Sequence, residues 1–288
     1  MNPSQGAVPS EPFELRIDRG ASLPGRAWRA ANPRALVAIA HGIGEYCARY
    51  SALASDLAKA GYTVVAVDFP GHGDAPGPRG DIPSWLALRD QVLPGLLLAG
   101  QSLDGIPERL PRVLFGHSLG GVLAMDFALH QPRAIAAVAV SAIGLRSAPP
   151  PWWKLLVNHI ARVVAPTAGF PTGLNEGGMS RDPEVEELRA KDPMIHRKIS
   201  PRTYFDFLDA RNRVLRDARR LAIPALLMHG EADSVVDIAG SNEVFAAAPK
   251  GLATLITYPD AYHEIFNDPA RAQAVPDLVK WLGMALAR

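Results

Sequence analysis

A strand-to-helix turn that carries a glycine-flanked serine lies near the middle of the chain. A run of β-forming residues at 112–115 leads into Gly-x-Ser-x-Gly at 116–120, and an apolar helical stretch at 122–129 follows. In so tight a turn, a side chain two residues before or after the serine would collide with neighbouring backbone, so both positions require glycine. The serine hydroxyl then lies clear of the main chain, beside the start of the new helix. Ser118 is therefore a candidate nucleophile.

The alternation of strand and helix continues on both sides of this turn. Predicted strands cover 13–17, 26–30, 36–40, 62–67, 112–115, 135–141, 225–229 and 253–258. Predicted helices cover 48–60, 84–103, 122–130, 237–247 and 269–287. Several of the strands are apolar throughout, which indicates burial on both faces, as in parallel sheets. We therefore predict the α/β class, with a mostly parallel sheet, helices on both of its faces and an antiparallel edge formed by the first two strands.

One region interrupts this alternation. From 144 to 221 there is no convincing strand pattern, and prolines, tryptophans and charged residues become frequent. Four apolar residues in its first part recur at helical spacing: Trp152, Leu156, Ile160 and Val163. We predict a helical cap at 144–221, inserted in a core of 13–143 and 222–288 and lying over the carboxyl ends of the strands. Residues 1–12 are predicted to form a disordered tip.

The composition excludes several classes of partner and location. The 288 residues include 30 Lys and Arg against 29 Asp and Glu, with both signs interspersed, so neither nucleic acid nor an anionic membrane is expected as a partner. A small, neutral molecule is expected instead. The single cysteine, Cys47, permits no internal disulfide and agrees with a cytoplasmic location. The start of the chain has no signal-peptide pattern, and no apolar stretch reaches the roughly 20 residues of a spanning helix.

An acid and a histidine follow the serine in the order that serine-based catalysis in an α/β sheet requires. Asp233 comes after the predicted strand at 225–229, and His263 comes after the last predicted strand. Both lie at the carboxyl ends of strands, where open α/β sheets place their chemistry. Asp237 is a rival acid, but it is better placed as the N-cap of the next helix. Asp260 is typical of a turn at a strand end.

A second glycine-rich turn, at 41–45, follows the first long buried strand. A backbone amide there, most naturally that of Ile43, can join the amide of Leu119 to stabilise an oxyanion. A phosphate-binding loop is the alternative, but Cys47 occupies the third glycine position and no Gly-Lys-Ser/Thr occurs in the chain. His263 and the residues after it lack the second histidine of a zinc helix. Neither a metal nor a cofactor is expected.

Five motifs in this order resemble those of the monoacylglycerol lipase and bacterial lysophospholipase group of α/β-hydrolases. They lie at 41–46 with 49–50, 68–73, 116–121, 229–233 and 262–264. The resemblance implies a capped serine hydrolase that acts on the ester of a single acyl chain. It also implies that Ser118 is the nucleophile, Asp233 the acid and His263 the base, with the amides of Ile43 and Leu119 as the oxyanion hole. Asp74 departs from the pattern, because relatives usually carry serine or glutamine there.

The sequence of the cap does not identify the substrate. Trp152, Trp153 and Leu156 are candidate substrate-binding residues, which could line an acyl tunnel, contact a lipid surface transiently or simply pack on the sheet. The expected partner is a lipid or another small ester, and the oligomeric state is not indicated. The expected location is cytoplasmic, with contact at the membrane periphery through the cap.

Three other functions are compatible with parts of the pattern. An aminopeptidase of the same fold needs acidic cap residues to hold a free amine, for which four are available: Glu176, Glu184, Glu186 and Glu187. A non-catalytic ligand-binding protein on this scaffold would usually have lost a member of the triad. A dehalogenase or epoxide hydrolase needs a carboxylate nucleophile, and Ser118 argues against it.

Overall fold

Eight strands of the computed structural model form one sheet, in which the strands, numbered along the chain, lie side by side in the order first, second, fourth, third, fifth, sixth, ninth and tenth. The structure describes residues 6–17, 22–103, 105–107, 109–147 and 151–287. The strands are β1 (Glu11–Arg16), β2 (Ser22–Trp28), β3 (Ala35–Ala40), β4 (Tyr62–Val67), β5 (Arg112–His117), β6 (Ala137–Ser141), β7 (Phe170–Pro171), β8 (Lys198–Ile199), β9 (Ala225–Gly230) and β10 (Ala253–Tyr258). The predicted α/β class is confirmed.

The helices are α1 (Ser51–Lys59), α2 (Trp85–Ala87), α3 (Leu93–Gln101), α4 (Leu119–His130), α5 (Trp152–Val164), α6 (Pro183–Lys191), α7 (Pro201–Asp217), α8 (Ala239–Ala247) and α9 (Arg271–Leu286). A π-helical turn at Leu88–Val92 joins α2 to α3, so the predicted helix at 84–103 is nearly continuous. Short 3₁₀ helices lie at Cys47–Tyr50, Glu176–Gly178 and Ala218–Arg220.

The sheet is parallel apart from its first edge. β2 runs antiparallel to both of its neighbours, β1 and β4, as the sequence predicts. Every residue of β3 is buried, and alternate side chains enter two separate apolar layers. Leu36 and Ala38 pack with α3, α4, α7 and α8, whereas Val37 and Ile39 pack with α1 and α9. Helices therefore cover both faces of the sheet, which explains why a central strand such as β3 is apolar throughout.

The first strand begins two residues earlier than predicted. β1 starts at Glu11, which pairs with Ala27 of β2. Strand pairing is made by main-chain groups, so the exposed and polar side chains at this position give no sign of it. Of the predicted disordered tip, residues 1–5 lie outside the described residues, and the amide of Val8 donates to Ser55 Oγ at 2.8 Å. The described end of the tip is therefore attached to α1.

The cap lies between β6 and β9 and contains α5, α6 and α7. The prediction that it holds no strand was wrong, because β7 and β8 pair antiparallel across two residues each. Such a short ladder leaves no periodic pattern in the sequence. Ala210 and Val214 of α7 are buried in the same layer as α4. This half of α7 packs as part of the core, and the boundary at 221 stays a prediction.

Candidate active site

The turn at Ser118 has the strained geometry that its glycines indicate. Ser118 adopts φ 53° and ψ −116°, in the region that residues other than glycine rarely occupy. A Cβ atom on Gly116 would lie 2.2 Å from the carbonyl oxygen of Gly120, and one on Gly120 would lie 2.1 Å from that of Ala40. The helix begins at Leu119, earlier than the apolar pattern alone predicts, because the two glycines within its first turn hide that turn from the pattern.

Gly120→Ala is expected to lower the free energy of unfolding by about 3 kcal/mol or more, because the new methyl group meets fixed main-chain oxygens. Gly283→Ala is the matched control, since a Cβ atom there meets nothing within 4 Å and lies within α9. That control should be neutral or stabilise by up to about 1 kcal/mol. Urea unfolding measures both, and a wild-type midpoint for Gly120→Ala would contradict the packing described above.

The loop after β3 lies against the serine. A Cβ atom on Gly42 would be 3.4 Å from Ser118 Cβ, and the Gly42 amide donates to Glu45 Oε1 at 2.6 Å. Ile43 lines the same cavity as Ser118. Within the described parts of the chain, the amides of Ile43 and Leu119 donate to no protein acceptor. Both predicted oxyanion donors thus remain available to a ligand.

The candidate acid and base are in direct contact. His263 Nδ1 lies 2.7 Å from Asp233 Oδ2, and Asp233 Oδ1 accepts the amides of Val235 and Val236 at 2.8 and 2.9 Å. A carboxylate only accepts, so Nδ1 carries the proton and Nε2 is free to accept one. Burial opposes ionisation of Asp233, but hydrogen bonds from two histidines and a backbone amide outweigh it and hold its pKa well below the ordinary value.

His229 is a supporting residue that the sequence analysis did not identify. Its Nε2 lies 3.2 Å from Asp233 Oδ2 and 3.2 Å from the carbonyl oxygen of Val236. Both are acceptors, so Nε2 is the donor and Nδ1 accepts from Ser241 Oγ at 2.7 Å. Asp233 therefore accepts from two imidazoles. The sequence feature that could have indicated this contact is the spacing of His229 and Asp233, which lie four residues apart on either side of the turn after β9.

The rival residues have other roles. Asp237 Oδ1 accepts the amide of Ala239, the first residue of α8, at 2.8 Å, but the N-cap position is Ile238 and not Asp237 as predicted. Asp260 has a φ of 59°, as expected for a turn.

Burial, followed by the neighbouring His263, lowers the pKa of His117 to about 4, so His117 is neutral near pH 7. Asp74 is exposed, and its departure from the family pattern does not reach the cavity.

Ser118 and His263 line one small cavity. The cap contributes four of its lining residues: Leu174, Met179, Arg189 and Ile195. The three cap residues predicted to bind substrate are not among them. Trp152, Trp153 and Leu156 have 77%, 51% and 55% of their surface exposed and lie on α5. The described structure thus places Ser118 and His263 in one cavity, with Asp233 against His263, and leaves these three side chains outside it.

Buried charges connect the histidine loop to the glycine loop. Glu264, next to His263, accepts two hydrogen bonds from Arg49 at 3.1 and 2.6 Å and a third from Asn267 at 3.0 Å. The Arg49 guanidinium also lies 3.7 Å from Glu45 Oε2. Burial opposes ionisation of Glu264, but Arg49 beside it keeps its pKa below the ordinary value. This network holds the two loops at a set separation.

The cap contacts these loops through its main chain. The carbonyl of Gly178 accepts the amide of His263 at 3.2 Å, and the next carbonyl, of Met179, accepts that of Glu264 at 2.8 Å. Farther along, the amide of His196 donates to the carbonyl oxygen of Gly44 at 2.9 Å. No motif predicted these contacts, since main-chain groups are common to every residue. The cap therefore supports the site as well as covering it.

The sheet order, the strained serine turn and the acid and histidine after later strands define a hydrolase of the α/β-hydrolase fold. Residues 31–270 match the family described as serine aminopeptidase, S33. Since the match spans most of the chain, the protein belongs to this family.

Its relatives include enzymes that act on lipid esters. A monoacylglycerol lipase of Mycolicibacterium smegmatis is 30% identical over 256 residues, which cover 87% of this chain and 89% of that protein. The phospholipase YtpA of Bacillus subtilis is 30% identical over 248 residues, covering 85% and 93%. The crystal structure of a Paleococcus ferrophilus monoacylglycerol lipase superposes with a TM-score of 0.83 at 29% identity, covering 91% of this chain and 99% of that one.

Proposed function

We propose that this protein hydrolyses carboxylic esters of a single acyl chain, with Ser118, Asp233 and His263 as its catalytic triad. The observation that carries the proposal is the 2.7 Å contact between His263 and Asp233 beside a cavity that His263 and Ser118 share. The strained φ of Ser118 supports it, because backbone strain of this kind is concentrated at functional positions.

The proposed reaction has two halves. In the first, His263 Nε2 takes the proton of Ser118 Oγ as that oxygen attacks the ester carbonyl, and Asp233 stabilises the resulting imidazolium. The amides of Ile43 and Leu119 donate to the oxyanion, each such donor being worth roughly 3 kcal/mol in comparable sites. The alcohol leaves with the proton from His263. In the second half, His263 deprotonates a water molecule as the water attacks the acyl carbonyl, and the bond to Ser118 Oγ then breaks as His263 returns the proton to that oxygen and the acid leaves.

The cap supports an ester substrate over a peptide with a free amine. An aminopeptidase needs acidic groups where that amine binds, but Glu184 and Glu187 are exposed and Glu186 accepts a main-chain hydrogen bond at 2.8 Å. The side chain of Glu176 lies outside the described residues. Among the described cap residues, the charged one that borders the cavity is a cation, Arg189. The lipase and phospholipase relatives agree with this choice.

A substrate panel tests the proposal. It contains p-nitrophenyl esters of two to sixteen carbons, a monoacylglycerol, a lysophospholipid and an aminoacyl anilide. We expect ester hydrolysis that depends on Ser118 and no cleavage of the anilide. Anilide cleavage exceeding ester cleavage would favour the aminopeptidase. Ester binding without turnover would favour the non-catalytic ligand-binding protein.

We further propose that α5 contacts a lipid surface. Trp152 is 77% exposed, Val163 is 81% exposed, and Leu156, Ile160 and three further apolar side chains of the helix are exposed with them. The opposite side of α5 lies against α7, and Ala161 is buried there. The ring of His159 lies 4.5 Å from that of Phe205 in α7, and Arg162 lies 5.1 Å from the same ring.

An exposed apolar stripe along one side of a helix is typical of helices that lie in the membrane interface. Among the described residues, no helix is long and apolar enough to cross a bilayer. The contact that we propose is therefore made at the surface of the membrane. It would bring the cavity close to substrates dissolved in the lipid.

Trp152→Ser combined with Val163→Ser is expected to weaken binding to phosphatidylcholine vesicles at least about tenfold, because burial of each large apolar side chain contributes about 1.5–3 kcal/mol. Vesicle co-sedimentation measures the change. Leu98→Ser is the control, since Leu98 is 57% exposed but lies on α3. Equal binding by the double variant and the wild type would refute the contact. Hydrolysis of a short soluble ester should stay the same in the double variant.

A further inference from the structure

The carboxylate of Asp233 accepts hydrogen bonds from two histidines at the same oxygen atom. Its Oδ2 lies 2.7 Å from Nδ1 of His263 and 3.2 Å from Nε2 of His229. The other oxygen, Oδ1, accepts the amides of Val235 and Val236. Only 1% of the Asp233 side chain is exposed, so these protein donors take the place of water. The candidate base therefore shares its partner oxygen with a second imidazole.

The second imidazole is fixed by the core and not by the cavity. His229 belongs to β9, and its side chain has no exposed surface. Its Nδ1 lies 2.7 Å from the hydroxyl oxygen of Ser241 in α8, and its Nε2 also faces the carbonyl oxygen of Val236 at 3.2 Å. His229 is not part of the lining of the cavity that contains Ser118. Its effect on the reaction is therefore exerted through Asp233.

A second donor changes how Asp233 acts on the base. Burial opposes ionisation of Asp233, and the hydrogen bond from His229 is the largest contribution that lowers its pKa, ahead of the one from His263. The N–H group of His229 also competes with His263 for the electron density of Oδ2. An oxygen that is shared in this way attracts the proton of an imidazolium less strongly. His263 then gives up its extra proton at a lower pH than it would beside an unshared carboxylate.

The other charged side chains beside His263 balance one another. Two cations and two anions line the same cavity: Glu45, Arg49, Arg189 and Glu264. Arg49 contacts both of these carboxylates, and the guanidinium from α6 lies 3.8 Å from one of them. His117, whose ring lies 4.7 Å from that of His263, is neutral near pH 7. The carboxylate that contacts the imidazole directly is that of Asp233, so the donors on its oxygens govern the protonation of the base.

We propose that His229 is a positioning residue that acts through Asp233 to keep His263 an effective base toward acid pH. The proposal rests on the proposed ester hydrolysis at Ser118 and adds a residue that touches neither the substrate nor the reacting atoms. The acid limb of the pH–rate profile should therefore depend on the N–H group at Nε2 of His229.

The test measures kcat/KM against pH for a short, soluble p-nitrophenyl ester. His229→Leu removes the donor, and we expect the midpoint of the acid limb to rise by about half a pH unit to one unit, the equivalent of a typical hydrogen bond. His229→Gln keeps an N–H group at the position of Nε2 and should return the midpoint to that of the wild type. Loss of folded enzyme lowers the rate at every pH alike, so the midpoint is the readout. His229→Met is a second variant without the donor, in case His229→Leu does not fold.

Ser241→Ala is the matched control, because it removes a buried hydrogen bond from the same ring and keeps the donor to Asp233. It should lower the free energy of unfolding and leave the midpoint of the acid limb at the wild-type value. An unchanged or lowered midpoint in the variants without the donor would refute the proposal. A rise of equal size in Ser241→Ala or His229→Gln would refute it as well, because the shift would then report a loosened core.

An NMR titration separates this proposal from the proposed function. The Cε1–H resonance of His263, identified by its absence in His263→Gln, titrates with pH whether or not the protein cleaves an ester. We expect its midpoint to rise in His229→Leu by the same amount as the acid limb. A midpoint that stays in place would refute the role of His229 and leave Ser118-dependent hydrolysis standing. A wild type that cleaves no ester would refute the proposed function, and this titration would still test His229.

Discussion

Ser118→Ala is expected to lower kcat for every ester that the enzyme cleaves by roughly 10⁴- to 10⁶-fold, the range found when the nucleophile of a serine triad is removed. Without the hydroxyl, no acyl-enzyme forms, and only the oxyanion donors and the binding cavity remain. Steady-state hydrolysis of a p-nitrophenyl ester measures the loss. KM should change little, because the deleted oxygen acts mainly in the transition state.

Ser102→Ala is the matched control for this variant. Ser102 is exposed at the end of α3, and its Oγ donates to the carbonyl oxygen of Leu98 at 2.9 Å. Its kcat should equal that of the wild type. Wild-type turnover in Ser118→Ala would refute the proposed nucleophile, and thermal unfolding would show whether the variant is folded.

Asp233→Asn is expected to lower kcat roughly 10⁴-fold while leaving the fold intact. The amide is close in shape to the carboxylate, but its NH₂ group can donate to Nδ1 of His263. The proton of the imidazole then lies on Nε2, which cannot accept the proton of Ser118. The charge that stabilises the imidazolium is lost as well. The pH–rate profile and kcat of the variant measure both effects.

The free energy of unfolding is expected to fall at acid pH, because the carboxyl group of Asp233 has a lower pKa in the folded protein than in the unfolded chain. The native pKa of Asp233 lies well below its ordinary value, so the ionised form contributes stability above about pH 4, the unfolded-state value. That contribution is lost as the pH falls further, through the native pKa. The stability difference between the wild type and Asp233→Asn should therefore be largest near neutral pH and shrink below about pH 4.

Asp237→Asn is the control, because it makes the same chemical change four residues away. The Asp237 carboxylate accepts the amide of Ala239, and the amide oxygen of asparagine can accept the same hydrogen bond, so both activity and stability should stay close to the wild type. Equal kcat values for Asp233→Asn and Asp237→Asn would show that Asp233 is not the catalytic acid.

The two parts of the cap differ in how they are attached. α5 contacts α7 through rings and cations around Phe205, whereas the segment at Gly178 and Met179 makes main-chain hydrogen bonds to the loop of His263. Movement of the second segment would disturb the base, and movement of α5 would not.

The sequence by itself determined the parts of this protein that rest on local chemistry. The bounds of β4 and β10 were predicted to the residue, because each is a run rich in β-branched and aromatic residues that lies between turn-forming residues. The turn at Ser118 was predictable because glycine is the one residue small enough for its close backbone contacts. Asp233 and His263 followed from their order after later strands, since strand ends of a parallel sheet meet at one edge.

The tertiary structure decided the features that depend on distant segments. The role of His229 follows from the path of the loop after β9 and from the position of α8, whose Ser241 contacts the same ring. The helical pattern of α5 was correct, but periodicity specifies an apolar side without saying whether protein or solvent lies against it. The exposure of these apolar side chains, with Ala161 buried on the opposite side, shows that the apolar side is turned outward, because its direction is set by tertiary contacts.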